Sequence, residues 1–177
     1  MKKALIISAD NFEDMELLYP YYRLREDGWE VDVASHEVKT IIGQRGYECK
    51  AKIAFSKVNP ESYGLLIIPG GKAPESVRLD PDALRITRYF FKKKLPVGAI
   101  CHGAQVLISA DVIAGMKITC WKGIQDDVIA AGGDYRDCEV SEDHFLITSR
   151  FPDDLPAFMR RIGLMMEKPD LKKVVGI

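Results

Sequence analysis

Apolar residues along the chain fall into unbroken runs and spaced runs, and the two kinds alternate. Lys3 to Ser8, Leu65 to Ile68 and Val97 to Ile100 are continuous and of strand length, the pattern of parallel strands covered on both faces. Between them the spacing becomes helical. Glu13 to Asp27 carries Met15, Leu17, Leu18, Tyr21, Tyr22 and Leu24 at helical intervals until Gly28, with Pro20 inside predicting a kink or a fresh start. Ala73 to Leu79, Pro81 to Lys94, Ala104 to Ser109 and Ile124 to Ala131 read as further helices, and Asp153 as the cap of a last one running to about Glu167. Glu30 to Ser35 alternates as a second strand, completing a βαβ unit.

Shorter strands fill the gaps. Val38 to Ile42 and Tyr47 to Ile53, separated by Gly43 to Gly46, suggest a small hairpin away from the main sheet. Lys117 to Cys120 is a short strand, and Cys138 to Val140 with Phe145 to Thr148 predict a hairpin around Ser141 to His144. The tail after Pro169 is expected to fray or to pack on a partner. Strands alternating with helices define an α/β sandwich with a mainly parallel central sheet, one domain over residues 1–177.

Composition narrows the function classes. With 25 basic against 26 acidic residues, no global field steers the chain to nucleic acid or an anionic membrane. Lys92-Lys93-Lys94 ends a predicted helix, where cations suit the exposed carbonyls. Ala4 to Ile7 is too short for a signal-peptide core and no run would span a bilayer, so a cytoplasmic location is expected. The four cysteines show no CxxC spacing and no zinc signature with the three histidines; free thiols and no cofactor are expected.

Ligands of open parallel sheets bind beyond the strands' carboxyl ends, and three such ends carry special residues: Ser8 to Glu13, Pro69 to Pro74 and Cys101 to Gln105. Cys101 lies where a strand turns into a helix between Gly98 and Gly103, a strand–turn–helix elbow. A helix N-terminus beneath the sulfur predicts a depressed thiol pKa. His102 is the adjacent candidate base, or an exposed loop histidine. Its backbone N–H, with those of Gly70 and Gly71, is a candidate oxyanion hole; the glycines alternatively only turn the chain. Glu13 and Glu75 read either as site carboxylates or as ordinary first-turn helix residues. Cys49, Cys120 and Cys138 lack the elbow context and read as structural.

Four ordered blocks then carry a resemblance over nearly the whole chain: Ile7 to Asp14 (ISADNFED), Ile67 to Arg78 (IIPGGKAPESVR), Ala99 to Gln105 (AICHGAQ) and Thr148 to Phe158 (TSRFPDDLPAF). They resemble the PfpI intracellular cysteine proteases of the ThiJ/PfpI superfamily. The resemblance implies a flavodoxin-like three-layer fold similar to class I glutamine amidotransferases, and self-association into dimers, hexamers or larger assemblies. It implies Cys101 as nucleophile, His102 as its histidine, Glu13 as the carboxylate touching that cysteine, and Glu75 as a triad member given by a neighbouring subunit. Gly71 and His102 match oxyanion donors, and Trp121 an aromatic lining the pocket. Ala104 departs from the common CHGPQ, which removes a proline that would stiffen the turn.

The first expectation is therefore a cysteine-type peptidase acting on peptides. The alternatives are a glyoxalase-like or deglycase enzyme acting on methylglyoxal or its adducts, and a redox-sensing stress protein or chaperone.

Overall fold

The structure, a computed structural model, describes residues 2–168; the tail after Pro169 lies outside them. Strand β1 (Lys3–Ile7) is buried along almost its whole length, as its unbroken apolar run requires. Helix α1 (Asp14–Glu26) follows, capped by the Glu13 carboxylate, and continues through Pro20 as one element rather than restarting there. Then come β2 (Glu30–Ser35), the hairpin β3 (Lys39–Ile42) and β4 (Glu48–Ala51), and the edge strand β5 (Ile53–Ala54). Strand β6 (Leu65–Ile68) leads to α2 (Ala73–Val77) and α3 (Pro81–Lys93), and β7 (Val97–Ile100) to α4 (Ala104–Ser109). The remainder is β8 (Lys117–Ile118), α5 (Gln125–Ala130), β9 (Asp134–Tyr135), β10 (Ser141–Asp143), β11 (Leu146–Ser149) and α6 (Leu155–Met166).

Seven strands form the main sheet in the order β10-β11-β7-β6-β1-β2-β5, parallel except for β10 against β11. From β1 the chain crosses to β2 on one side, and from β6 to β7 on the other. Right-handed crossovers therefore put α1 and α3 on opposite faces, giving the expected three layers. The strand order reverses between β1 and β6, which is where an open α/β sheet has its crevice. All three loops singled out in the sequence end there.

Several local readings shift. The C-terminal hairpin pairs Ser141–Asp143 with Leu146–Ser149, so Cys138–Val140 lies before the strand and the turn falls at His144-Phe145, His144 taking a left-handed φ of 55°. Strand β9, two residues long, pairs with β8 in a separate sheet and left no pattern to read. Asp153 does not cap the last helix; Asp154 is the buried acid there, accepting from the Arg150 backbone and guanidinium, and a 3-10 turn leads into α6.

One surface cluster imitates a hydrolytic relay. His36 Nδ1 lies 2.8 Å from Asp80 Oδ2 and its Nε2 3.3 Å from Ser76 Oγ. The Ser76 hydroxyl donates to the Ala73 carbonyl, however, and Asp80 also caps α3. The trio ties the end of β2 to the α2–α3 corner.

Candidate active site

Cys101 leaves β7 in the left-handed region, at φ 59°, and a single 3-10 turn over Cys101–Gly103 leads into α4. Such a backbone costs a non-glycine residue about 1–2 kcal/mol and persists only where neighbours over-determine it. Here they do. A Cβ on Gly103 would sit 2.3 Å from the Ile68 carbonyl oxygen, so the turn is pressed directly against the end of β6. Ala104 holds φ −59°, the angle a proline would impose, so tertiary packing supplies the stiffness that its side chain does not. Gly103→Ala is expected to destabilise the protein by about 2–3 kcal/mol, because backbone must give way, and to reduce turnover with it; urea unfolding measures the first.

The loop after β6 is equally constrained. Gly71 has φ 76°, and a Cβ there would lie 2.3 Å from the Glu13 nitrogen, where Phe12 and Gly71 form an antiparallel bridge between the first two loops. Gly71 and His102 both aim backbone N–H groups at the Cys101 sulfur. Gly70 does not join them. Its N–H donates to Glu16 Oε2 at 2.8 Å, so two of the three amides expected to form an oxyanion hole point at the sulfur.

The carboxylate against the thiol is also not the expected one. Glu13 caps α1, its Oε2 accepting from the Glu16 backbone at 3.0 Å and its Oε1 3.8 Å from the Arg45 guanidinium. Glu16, one helical turn on and fully buried, lies beside Cys101: a Cβ on Gly70 would sit 2.5 Å from its Oε2 and 2.7 Å from the Cys101 Cβ. Burial, then the nearby Glu13 charge, raises its pKa from 4.5 to about 8, against the Gly70 N–H and Cys101 bonds that lower it. Its Oε1 is buried without a hydrogen-bond partner.

The expected depression of the Cys101 pKa is reversed. Burial first, and the Glu16 charge second, push the thiol up, while the amides of His102 and Gly71 pull the other way. A six-residue helix beginning three residues later cannot outweigh that desolvation. The Cys101–Glu16 pair therefore holds two protons below about pH 8 and one above it.

His102 is half-buried, with Nδ1 3.3 Å from Cys101 Sγ. Burial lowers its pKa and the Glu75 charge partly offsets this, so it is neutral and able to accept a proton near pH 7. Glu75 is exposed on α2 and shares the cleft but is not hydrogen-bonded to the imidazole. Trp121 lies across the cleft, its ring 6.2 Å from His102 and 6.5 Å from Phe151. The cleft measures about 300 Å³. Cys120, fully buried with its pKa raised by burial to about 12, is an inert core thiol, and Cys49 and Cys138 stand outside the cleft. Among the described residues no cluster of three or more His, Cys, Asp or Glu is placed to hold a metal ion, and no helix is long and apolar enough to cross a membrane.

The DJ-1/PfpI family profile matches residues 2–164. The chain belongs to this family. Among DJ-1/PfpI relatives, a deglycase of Pyrococcus horikoshii is 51% identical over 165 residues, covering 93% of this chain and 99% of its own. A Bacillus subtilis relative named as a candidate cysteine protease is 40% identical over 160 residues, covering 90% of this chain and 95% of its own. The solved two-domain protein of Anabaena variabilis, with DJ-1/ThiJ/PfpI-like and ferritin-like domains, superposes with a TM-score of 0.92 at 29% identity, over 99% of this chain and 57% of that one. The sheet order and layers described above are thus the flavodoxin-like DJ-1/PfpI fold.

Sequence reasoning missed Glu16. A glutamate inside a helix ordinarily faces water, but Glu16 stands four residues before Pro20 and eight before Leu24, both buried, which places it on the inner face.

Proposed function

We propose that the chain is a thiol-dependent enzyme that converts 2-oxoaldehydes such as methylglyoxal, and their adducts with amines, to 2-hydroxy acids. The glyoxalase-like and deglycase reading thereby takes precedence over the peptidase first expected from the resemblance. The observation that carries it is the buried Glu16 carboxyl set beside Cys101 in a small cleft, a proton donor next to a nucleophile. The deglycase names among the relatives favour the same chemistry.

In the first step the Cys101 thiolate adds to the aldehyde carbon, and the carbonyl electron pair moves to oxygen, which takes the proton held by Glu16. When the substrate is an amine adduct, the carbon–nitrogen bond breaks instead and the amine departs with that proton. The Glu16 carboxylate then removes the remaining hydrogen on that carbon, the electrons pass to the adjacent carbonyl, the proton returns to the second carbon, and the hydroxyl proton of the first carbon passes to the oxygen of the second. One carbon is oxidised and its neighbour reduced by two electrons each, so no external oxidant is needed. The product is a thioester of Cys101. Water attacks it, His102 accepts the water's proton, and the 2-hydroxy acid leaves as the thiolate is restored. The Gly71 and His102 N–H groups stabilise the developing oxyanion.

Peptide cleavage is the second reading, favoured by the 3.3 Å Cys101–His102 contact and the name of the Bacillus relative. It requires a carboxylate on the imidazole. Glu75 supplies that role in this reading, from its own chain or from a neighbour in a homo-oligomer.

Wild-type protein incubated with methylglyoxal is expected to release lactate, and to restore free amine from a methylglyoxal-treated peptide, while leaving fluorogenic peptides intact. Peptide hydrolysis without lactate would replace the first reading by the second.

A further inference from the structure

The β3–β4 hairpin belongs to neither edge of the main sheet, yet its tip reaches the cleft, where the exposed Gln44 shares the lining with Cys101 and Trp121. What holds the tip in place is Asp14. This carboxylate is buried, lies at the start of α1, and takes no part in the chemistry derived above. Its Oδ2 accepts from the Arg45 backbone N–H and its Oδ1 from that of Tyr47, both at 3.0 Å. Gly43 rests on it so closely that a Cβ there would come within 2.6 Å of the carboxyl carbon. The Gln44 N–H, meanwhile, donates to the Phe12 carbonyl at 2.9 Å.

We infer that Gln44 is a substrate-binding residue and Asp14 the residue that positions it. A primary amide offers one acceptor and two donors, which suits the two carbonyls of a neutral 2-oxoaldehyde or the hydroxyl and carbonyl of its adduct, opposite the groups that attack it. Asp14 has two acceptor oxygens for two donors, an arrangement asparagine cannot reproduce, since its NH2 would meet an N–H. Asp14 and Glu16 stand two residues apart on one helix, so that helix sets both the reacting proton and the facing wall.

The inference rests on the proposed carbonyl chemistry, and two readouts separate their failures. In steady-state kinetics with methylglyoxal, Gln44→Ala and Asp14→Asn are each expected to raise KM roughly tenfold with kcat within about threefold of wild type, the loss of about one hydrogen bond. The double variant is expected to show the KM rise of Gln44→Ala alone, because Asp14 acts through Gln44. Hydroxyacetone protection of Cys101 against iodoacetamide provides a second readout that needs no turnover, and should weaken by the same factor in all three variants.

Equal KM and equal protection in wild type and Gln44→Ala, an exposed substitution, would overturn the inference while leaving the proposed chemistry intact. Additive effects in the double variant would overturn Asp14's part. If methylglyoxal is not turned over at all, the proposed function fails, and the protection series alone decides: weaker protection in the variants supports the wall, and protection that is absent or unchanged overturns it.

Discussion

Cys101→Ala is expected to bring methylglyoxal turnover to the buffer background, a fall on the order of 10⁴-fold or more, because the thioester of the proposed route forms on the Cys101 sulfur. Lactate release measures it. Retained turnover would dismiss the thiol mechanism altogether. The same position yields a stability result of opposite sign. Alanine and glycine both remove the sulfur, but only glycine adopts φ 59° without steric cost. The left-handed penalty of about 1–2 kcal/mol exceeds the entropy glycine gives back to the unfolded chain, so Cys101→Gly should be more stable than Cys101→Ala by about 0.5–1 kcal/mol. The left-handed penalty itself is strain the wild type carries to present its thiol.

Glu16→Gln is expected to lower kcat by about 10²–10⁴-fold, the usual worth of a positioned acid–base group, while keeping the cleft's shape and the acceptor for the Gly70 N–H. The pH dependence tests the assignment more sharply than the rate. In the wild type the reactive one-proton form builds as pH rises through about 8, so activity should climb there. In the variant that limb should leave the region of pH 8 and follow the thiol alone, which burial keeps above its ordinary value.

Stability runs the other way. The folded pKa of Glu16, about 8, exceeds the 4.5 of the exposed group, so the folded state holds the extra proton between those values. The contribution of Glu16 is complete below about pH 4.5 and is lost as pH rises through about 8. Glutamine never ionises, and thermal unfolding at pH 5 and pH 9 should show Glu16→Gln gaining on the wild type at the higher value. The titration that produces the reactive form is the one that costs stability.

The sequence displayed the frame of this site more clearly than its interior. Apolar runs at 4–7, 65–68 and 97–100 have a single reading, because strands covered on both faces leave no polar alternation. The three loops that leave these strands therefore converge by sequence pattern alone. Burial of polar groups was harder to see. In α1 the large apolar side chains Met15 and Tyr22 face outward while Asp14 and Glu16 face inward, inverting the usual assignment on both faces. Glu13 and Glu16 are indistinguishable by composition; only the depth of each helical position separates a partly exposed cap from a buried acid. Gly70 and Gly71 likewise read alike, yet one amide serves a carboxylate and the other a sulfur. The direction of the Cys101 shift turned on desolvation, a quantity set by neighbours distant in sequence.

The edges of the main sheet are short. Strand β5 presents two residues and β10 three, two of them acidic, whereas the apolar strands β1, β6 and β7 occupy the middle. A stray chain has little to pair with at either edge. Cross-β aggregation of this protein therefore has to begin by exposing the central strands, and their carboxyl ends carry Cys101 and the loops around it. On heating, inactivation and the onset of aggregation should coincide, with no active aggregate forming ahead of them.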